Sequence, residues 1–182
     1  MCIRDSSKAL DEHLALAYHR QSGLPVSIVR YFNIYGPRCL SGGYGVIARF
    51  AERAVSARPL IVHGDGGQSR CFTYVDDAVR GTLLAGTMEA ANGQVFNLGT
   101  ARETTIGELA AMVRDAAGAA VPIEHVSYEQ EYGAGFEDTR RRVPDVGKAE
   151  RLLGFRAEVP LEDGLRRTIE WWRQRGVVSG EW

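Results

Sequence analysis

Tyr31-Phe32-Asn33-Ile34-Tyr35-Gly36-Pro37-Arg38 closes an apolar run and opens a polar one. The residues before it, Val26-Ser27-Ile28-Val29-Arg30, are rich in β-branched side chains. With Tyr31 and Phe32 they read as a buried strand. Polar groups gather at the strand's carboxyl end, which is where open α/β sheets bind ligands. Upstream, Leu10, Leu14, Ala17 and Tyr18 share one face of a helix over 7–21, which Gly23 and Pro25 terminate. A helix leading closely into such a strand is half of a crossover unit.

The alternation continues downstream. Val46, Ile47, Phe50 and Ala54 give a helix over 46–56, and Leu60-Ile61-Val62 gives a short strand. Gly64-Asp65-Gly66-Gly67 reads as a turn, because glycine supplies backbone angles other residues resist. Gln68-Ser69-Arg70 comes next, then an extended segment over 71–75, a helix after Asp76 to about Gly86, and a strand over 95–99. Thr105 and Glu108 have the spacing of a capping box before a helix striped by Ile106, Leu109, Met112, Val113 and Ala116. Residues 121–126 read as extended and 127–143 as a long loop. Asp145 is placed to cap a helix carrying Ala149, Leu152 and Leu153. Leu161, Leu165, Ile169 and Trp172 describe a last amphipathic helix. Strands alternating with helices indicate an α/β fold. No G-x-G-x-x-G comes after a strand. Gly42-Gly43-Tyr44-Gly45 is preceded by loop residues and is poor evidence for a dinucleotide site.

Composition removes several classes of function. The chain has 182 residues, 45% of them hydrophobic, and a net charge of −1, so it has no electrostatic footprint for nucleic acid. No stretch of about 18 apolar residues exists, so no membrane span is expected. Cys2, Cys39 and Cys71 are odd in number and widely spaced, and His13, His19, His63 and His125 share no ligand spacing. They imply neither a disulfide framework nor a metal site. A reducing cytoplasm is the simplest compartment. Residues 1–6 lack the apolar core of a signal peptide and match the pattern of the downstream residues poorly.

Ser7-Lys8 at a helix start, Arg30-Tyr31-Phe32-Asn33, Tyr35-Gly36-Pro37-Arg38, Gly64-Asp65-Gly66 with Gln68 and Arg70, Phe72-Thr73-Tyr74-Val75-Asp76-Asp77, Phe96-Asn97-Leu98-Gly99, and Pro144-Asp145 with Lys148 occur in one order. In that order they resemble the C-terminal part of an NAD-dependent nucleotide-sugar epimerase/dehydratase, of the extended short-chain dehydrogenases. The resemblance covers almost all of residues 7–182. It implies an α/β fold comprising the C-terminal part of a doubly wound Rossmann-like sheet and a small α/β substrate-binding lobe. Residues 7–35 and 72–100 are expected in the former and 36–71 and 101–182 in the latter, with 1–6 a foreign leader. It implies transient oxidation at sugar C4 in the parent protein, with NAD as cofactor, a nucleoside-diphosphate sugar as ligand and a homodimer as assembly. A 4-epimerase is the favoured reading. A dehydratase, a decarboxylase or a non-catalytic sugar-nucleotide-binding module are the alternatives.

The resemblance also implies site residues. Lys8 matches the lysine of a Tyr-x-x-x-Lys pair, where a nearby cation lowers a tyrosine pKa and suits it to acid/base work. Arg4 stands at the tyrosine's position and cannot serve as a base. The chain alone is therefore expected to be inactive and to bind NAD poorly. Tyr31 and Phe32 are expected beside the cofactor. Asn33, Leu60, Val62, Arg70 and Asn97 are expected on the substrate. Arg70 has its own argument, since a guanidinium after a glycine-rich turn can fork around phosphate oxygens. The bland alternative is an ion pair with Asp65, Asp76 or Asp77. One residue of Arg140-Arg141-Arg142 is expected on the diphosphate, with the sequence not choosing among them.

Overall fold

The computed structural model describes residues 3–39, 45–133 and 138–175. In chain order the elements are α1 (Ile3–Ser22), β1 (Ser27–Tyr31), β2 (Ile34–Tyr35), α2 (Val46–Val55), β3 (Leu60–His63), β4 (Ser69–Cys71), β5 (Thr73–Tyr74), α3 (Val75–Thr87) and β6 (Gln94–Leu98). They continue as β7 (Glu103–Thr105), α4 (Ile106–Ala116), β8 (Ile123–Val126), α5 (Tyr128–Tyr132), β9 (Arg141–Arg142), α6 (Gly147–Leu153) and α7 (Leu161–Arg175). The glycine-rich run at 42–44 lies outside the described residues.

The mixed α/β fold is as expected, and its strands pair mostly in parallel. β1 pairs with β6 (Ser27 opposite Gln94, Tyr31 opposite Leu98), β2 with β5, and β3 with β8. Parallel neighbours need a crossover connection, and helices provide it here. β4 is the middle of a three-stranded sheet, antiparallel to β7 and parallel to β9.

Local chemistry explains the element ends. Glu108 N–H donates to Thr105 Oγ1 at 3.1 Å and Thr105 N–H donates to Glu108 Oε2 at 2.9 Å, so the expected capping box starts α4. Gly64 and Gly66 both have positive φ, +69° and +73°, as the turn before β4 requires. Asn33 takes φ +44°, a left-handed angle asparagine tolerates better than most residues. That kink ends β1 and redirects the chain into β2.

Three expectations are corrected. Residues 127–143 are not simply loop. Ser127 and Gln130 form a second capping box that starts α5, and Arg141–Arg142 pair with β4. Asp145 is not the cap of α6, which begins after Val146; its Oδ1 accepts from Gly147 N–H at 2.9 Å. The apolar face of α1 forms, but Leu10, Leu14 and Tyr18 are exposed. α1 also begins at Ile3, so residues 3–6 continue the helix.

Two apolar clusters form the core. The larger joins α2, α4 and α7 around Phe50, Leu60, Val62, Leu109, Leu165 and Ile169. The smaller packs α3, β6 and the 149–155 segment around Phe96, Leu98, Leu153 and Phe155. Residues 149–155, expected from sequence in the second lobe, pack against β6, expected in the first. Asp77, 2% exposed, ties these parts together. Its Oδ2 accepts from Glu158 N–H and Val159 N–H at 3.0 and 2.9 Å, and its Oδ1 from Arg80 at 2.8 Å.

The smaller cluster depends on close approach at Gly81. A Cβ there would lie 2.8 Å from Phe155 Cε2 and 3.0 Å from Leu98 Cδ1. Gly81→Ala should improve helix propensity by about 1 kcal/mol but overpack the cluster at a cost of about 1–3 kcal/mol. The expected net result is destabilisation, read as a lower denaturation midpoint in urea. A midpoint above wild type would show that Phe155 can move aside.

Candidate functional site

A cavity of about 780 Å³ opens at the carboxyl ends of β1 and β3. Tyr31, Phe32, Asn33 and Arg70 all line it, so residues from two distant motifs meet at one place. The kink at Asn33 turns its side chain across this corner. Its Nδ2 donates to the Cys71 carbonyl at 2.8 Å, and its Oδ1 accepts from Arg142 Nη2 at 3.2 Å. Tyr31 is half exposed, with its hydroxyl 2.7 Å from Thr82 Oγ1.

Strand geometry corrects the expectation for β3. Leu60 and Val62 are wholly buried in the core beneath the cavity, while Ile61 and His63 line it. Successive side chains of a strand point to opposite faces, so one pair excludes the other. Burial, and then the Arg49 charge, hold His63 below the usual histidine range, which favours the neutral imidazole.

Arg70 is buried, yet it has a carboxylate partner. Its Nη2 donates to Asp138 Oδ1 at 2.7 Å, so the partner is none of the three aspartates the sequence suggests. The arginine run divides cleanly. Arg140 binds Asp65, Arg141 binds Glu103, and Arg142 alone of the three lines the cavity. Arg49, on α2, also lines it and is not singled out by the sequence. Its neighbours Ala48 and Phe50 belong to the buried side of the helix, and nothing in the local pattern marks it as more than a solvated arginine. Among the described residues neither Arg49 nor Arg142 has a carboxylate within ion-pair distance. Arg30 lines the cavity too but is held by Glu12.

Two expected residues lie elsewhere. Asn97 is not part of the cavity wall; its Nδ2 donates to the Asp145 carbonyl at 2.9 Å and secures the end of β6. Lys8 is largely exposed on α1, its ammonium 2.9 Å from Asp11. Lys8 faces a carboxylate, and no glycine-rich strand-to-helix turn of the kind that binds a dinucleotide occurs among the described residues. No step through that cofactor is derived from this chain. Cys71 is fully buried, and burial raises its thiol pKa, which does not suit a nucleophile. No group of three or more His, Cys, Asp or Glu suited to a metal occurs among the described residues, and none of their helices is long and apolar enough to cross a membrane.

Comparison with known proteins gives a consistent result. A UDP-N-acetyl-alpha-D-glucosaminuronate decarboxylase of Bacillus cytotoxicus is 46% identical over 168 residues, covering 92% of this chain and 52% of that protein. The structure of Pal from Bacillus thuringiensis superposes with a TM-score of 0.83 at 32% identity, covering 94% of this chain and 53% of that one. The UDP-glucose 4-epimerase of Thermotoga maritima, solved with UDP-glucose, gives 0.82 at 36% identity, covering 90% and 51%. The chain thus spans about half the length of these relatives. Residues 5–99 match the sequence description of a single family, more than half of the chain, and the ordered motifs lie on the fold that family shares. This chain belongs to the NAD dependent epimerase/dehydratase family.

Proposed function

We propose that this chain is the part of a nucleotide-sugar-modifying enzyme that grips the nucleoside-diphosphate end of its substrate. The observation that carries this reading is the convergence of Arg49, Arg70 and Arg142 on one cavity beside Asn33. Guanidiniums gathered in a cleft favour an anion, and their planar forks match phosphate oxygens. Asp138 offsets one of these charges, leaving about as much positive charge as a nucleotide diphosphate carries negative. A planar base would lie against Ile61 and His63, where strand backbone and a neutral imidazole suit an uncharged ring. The diphosphate would lie on Arg70 and Arg142. The sugar would point toward Tyr31 and Asn33, at the end of β1. Holding a substrate by its remote part lets binding energy position the reacting carbon.

In a protein of this family NAD supplies the hydride chemistry, and transient oxidation at sugar C4 is the reaction we assign to the whole protein. The 46% identity to a uronate decarboxylase favours decarboxylation of a UDP-uronate over simple 4-epimerisation. Given NAD and a UDP-uronate, the full-length protein should release carbon dioxide. Retention of all carbons with inversion at C4 would return the reading to an epimerase.

Two further outcomes test the assignment of roles. Arg70→Ala in the full-length protein should weaken UDP-sugar binding roughly 10- to 100-fold while leaving NAD binding unchanged. Equal losses for both ligands, by calorimetry, would remove the diphosphate role. The purified 182-residue chain should not turn over UDP-glucose with NAD. Turnover would show that Lys8 and its surroundings suffice.

A further inference from the structure

A continuous run of hydrogen bonds crosses one wall of the cavity. Gln68 Nε2 donates to the His63 carbonyl at 3.1 Å and to the Tyr128 hydroxyl oxygen at 2.8 Å. The Tyr128 hydroxyl donates to Asp138 Oδ2 at 3.0 Å. Asp138 Oδ1 accepts from Arg70 Nη2 at 2.7 Å, and Arg70 Nη1 donates to the Ser69 carbonyl at 2.8 Å. The direction of every bond is fixed by chemistry. A guanidinium only donates and a carboxylate only accepts. The carbonyl of His63 requires the amide nitrogen of Gln68, so Tyr128 must accept from Gln68 and donate to Asp138. Gln68 and Arg70 are 5% and 9% exposed, so water competes little for them.

The run has a consequence for Arg70. Bonds at both terminal nitrogens set the plane of the rigid guanidinium. Its remaining N–H donors are left for a ligand in the cavity it lines. Asp138 is itself held at its second oxygen by Tyr128, so it cannot rotate freely. Its carboxylate also supplies the negative charge a buried arginine needs.

We propose that Asp138, oriented by Tyr128, is the positioning residue of Arg70. It fixes the guanidinium plane before the anion arrives, so the ordering cost is met on folding and not on binding. The inference rests on the diphosphate reading of the site. It adds a role for two residues that neither the ordered motifs nor the arginine convergence requires.

The test is a titration of UDP and of uridine into the full-length protein. Tyr128→Phe removes the hydroxyl and keeps the ring, which packs over the Gly64 turn, where an added Cβ would meet Tyr128 Cε2 at 2.8 Å. Tyr128→Phe and Asp138→Asn should each weaken UDP binding roughly three- to tenfold and leave uridine unchanged. In an Arg70→Ala background neither should have further effect, because both act through Arg70. Unchanged UDP affinity would overturn the proposal. So would tighter binding by Asp138→Asn, which would mark Asp138 as a competing counter-ion. Parallel losses for uridine and UDP, or a full effect persisting without Arg70, would also overturn it by showing a role in the fold or on the ligand itself. If Arg70→Ala alone binds UDP like wild type, the diphosphate reading fails first, and this inference fails with it.

Discussion

A buried arginine needs a negative group beside it, and that need organises this site. Arg70 sits on β4, between β7 on one edge and β9 on the other. The parallel register that places Arg142 opposite Arg70 also brings the chain around Asp138 within reach of the guanidinium. Ladder bonds and ion pair reinforce one another. Ser69 N–H donates to the Arg140 carbonyl at 2.9 Å, and Glu103 on β7 accepts from both Ser69 and Arg141. A three-residue strand would be marginal alone. Here it is pinned on both edges, and the charge it carries is compensated.

The same sheet brings together residues spread along the chain. Asn33, Arg49, Arg70 and the 138–142 stretch carrying Asp138 and Arg142 come from four separate segments. Pairing of β1 with β6, and of β4 with β7 and β9, holds these segments near one another. The apolar clusters hold those segments at their working distances. α2 buries Ile47 and Phe50 against α4 and α7, and that face-on packing turns Arg49 toward the cavity. The turn at Gly64–Gly67 joins β3 to β4, and Ile61 and His63 line the same cavity as Arg70. Cavity shape is thus a by-product of core packing, while its charge comes from side chains the core does not need.

Much of the fold is legible in the sequence because it obeys local rules. The β-branched run at β1, the turn glycines, the Thr105–Glu108 box and the helical stripes of α2, α4 and α7 each report a backbone preference that tertiary packing reinforces. The ordered motifs also place the chain in its family, and Asn33 and Arg70, both expected on the substrate, line one cavity. The failures have a common cause. A strand three or four residues long has an alternation but no label for its inner face, so sequence points to Leu60 and Val62 where Ile61 and His63 line the cavity. A two-residue strand such as β9 has no pattern of its own and exists only because β4 offers an edge.

Local sequence alone settled the longer strands and helices and the glycine turn before β4, because those choices depend on side-chain shape, backbone freedom and capping within a few residues. It also settled that an arginine after a glycine turn could meet an anion. Tertiary structure alone settled which of Arg140, Arg141 and Arg142 reaches the cavity, that Arg49 joins it, that Asn97 only secures a strand end, and that Asp138 is the partner of Arg70. Each of those outcomes rests on register between segments far apart in the chain. Coulomb and hydrogen-bond energies act across distances that no local pattern encodes.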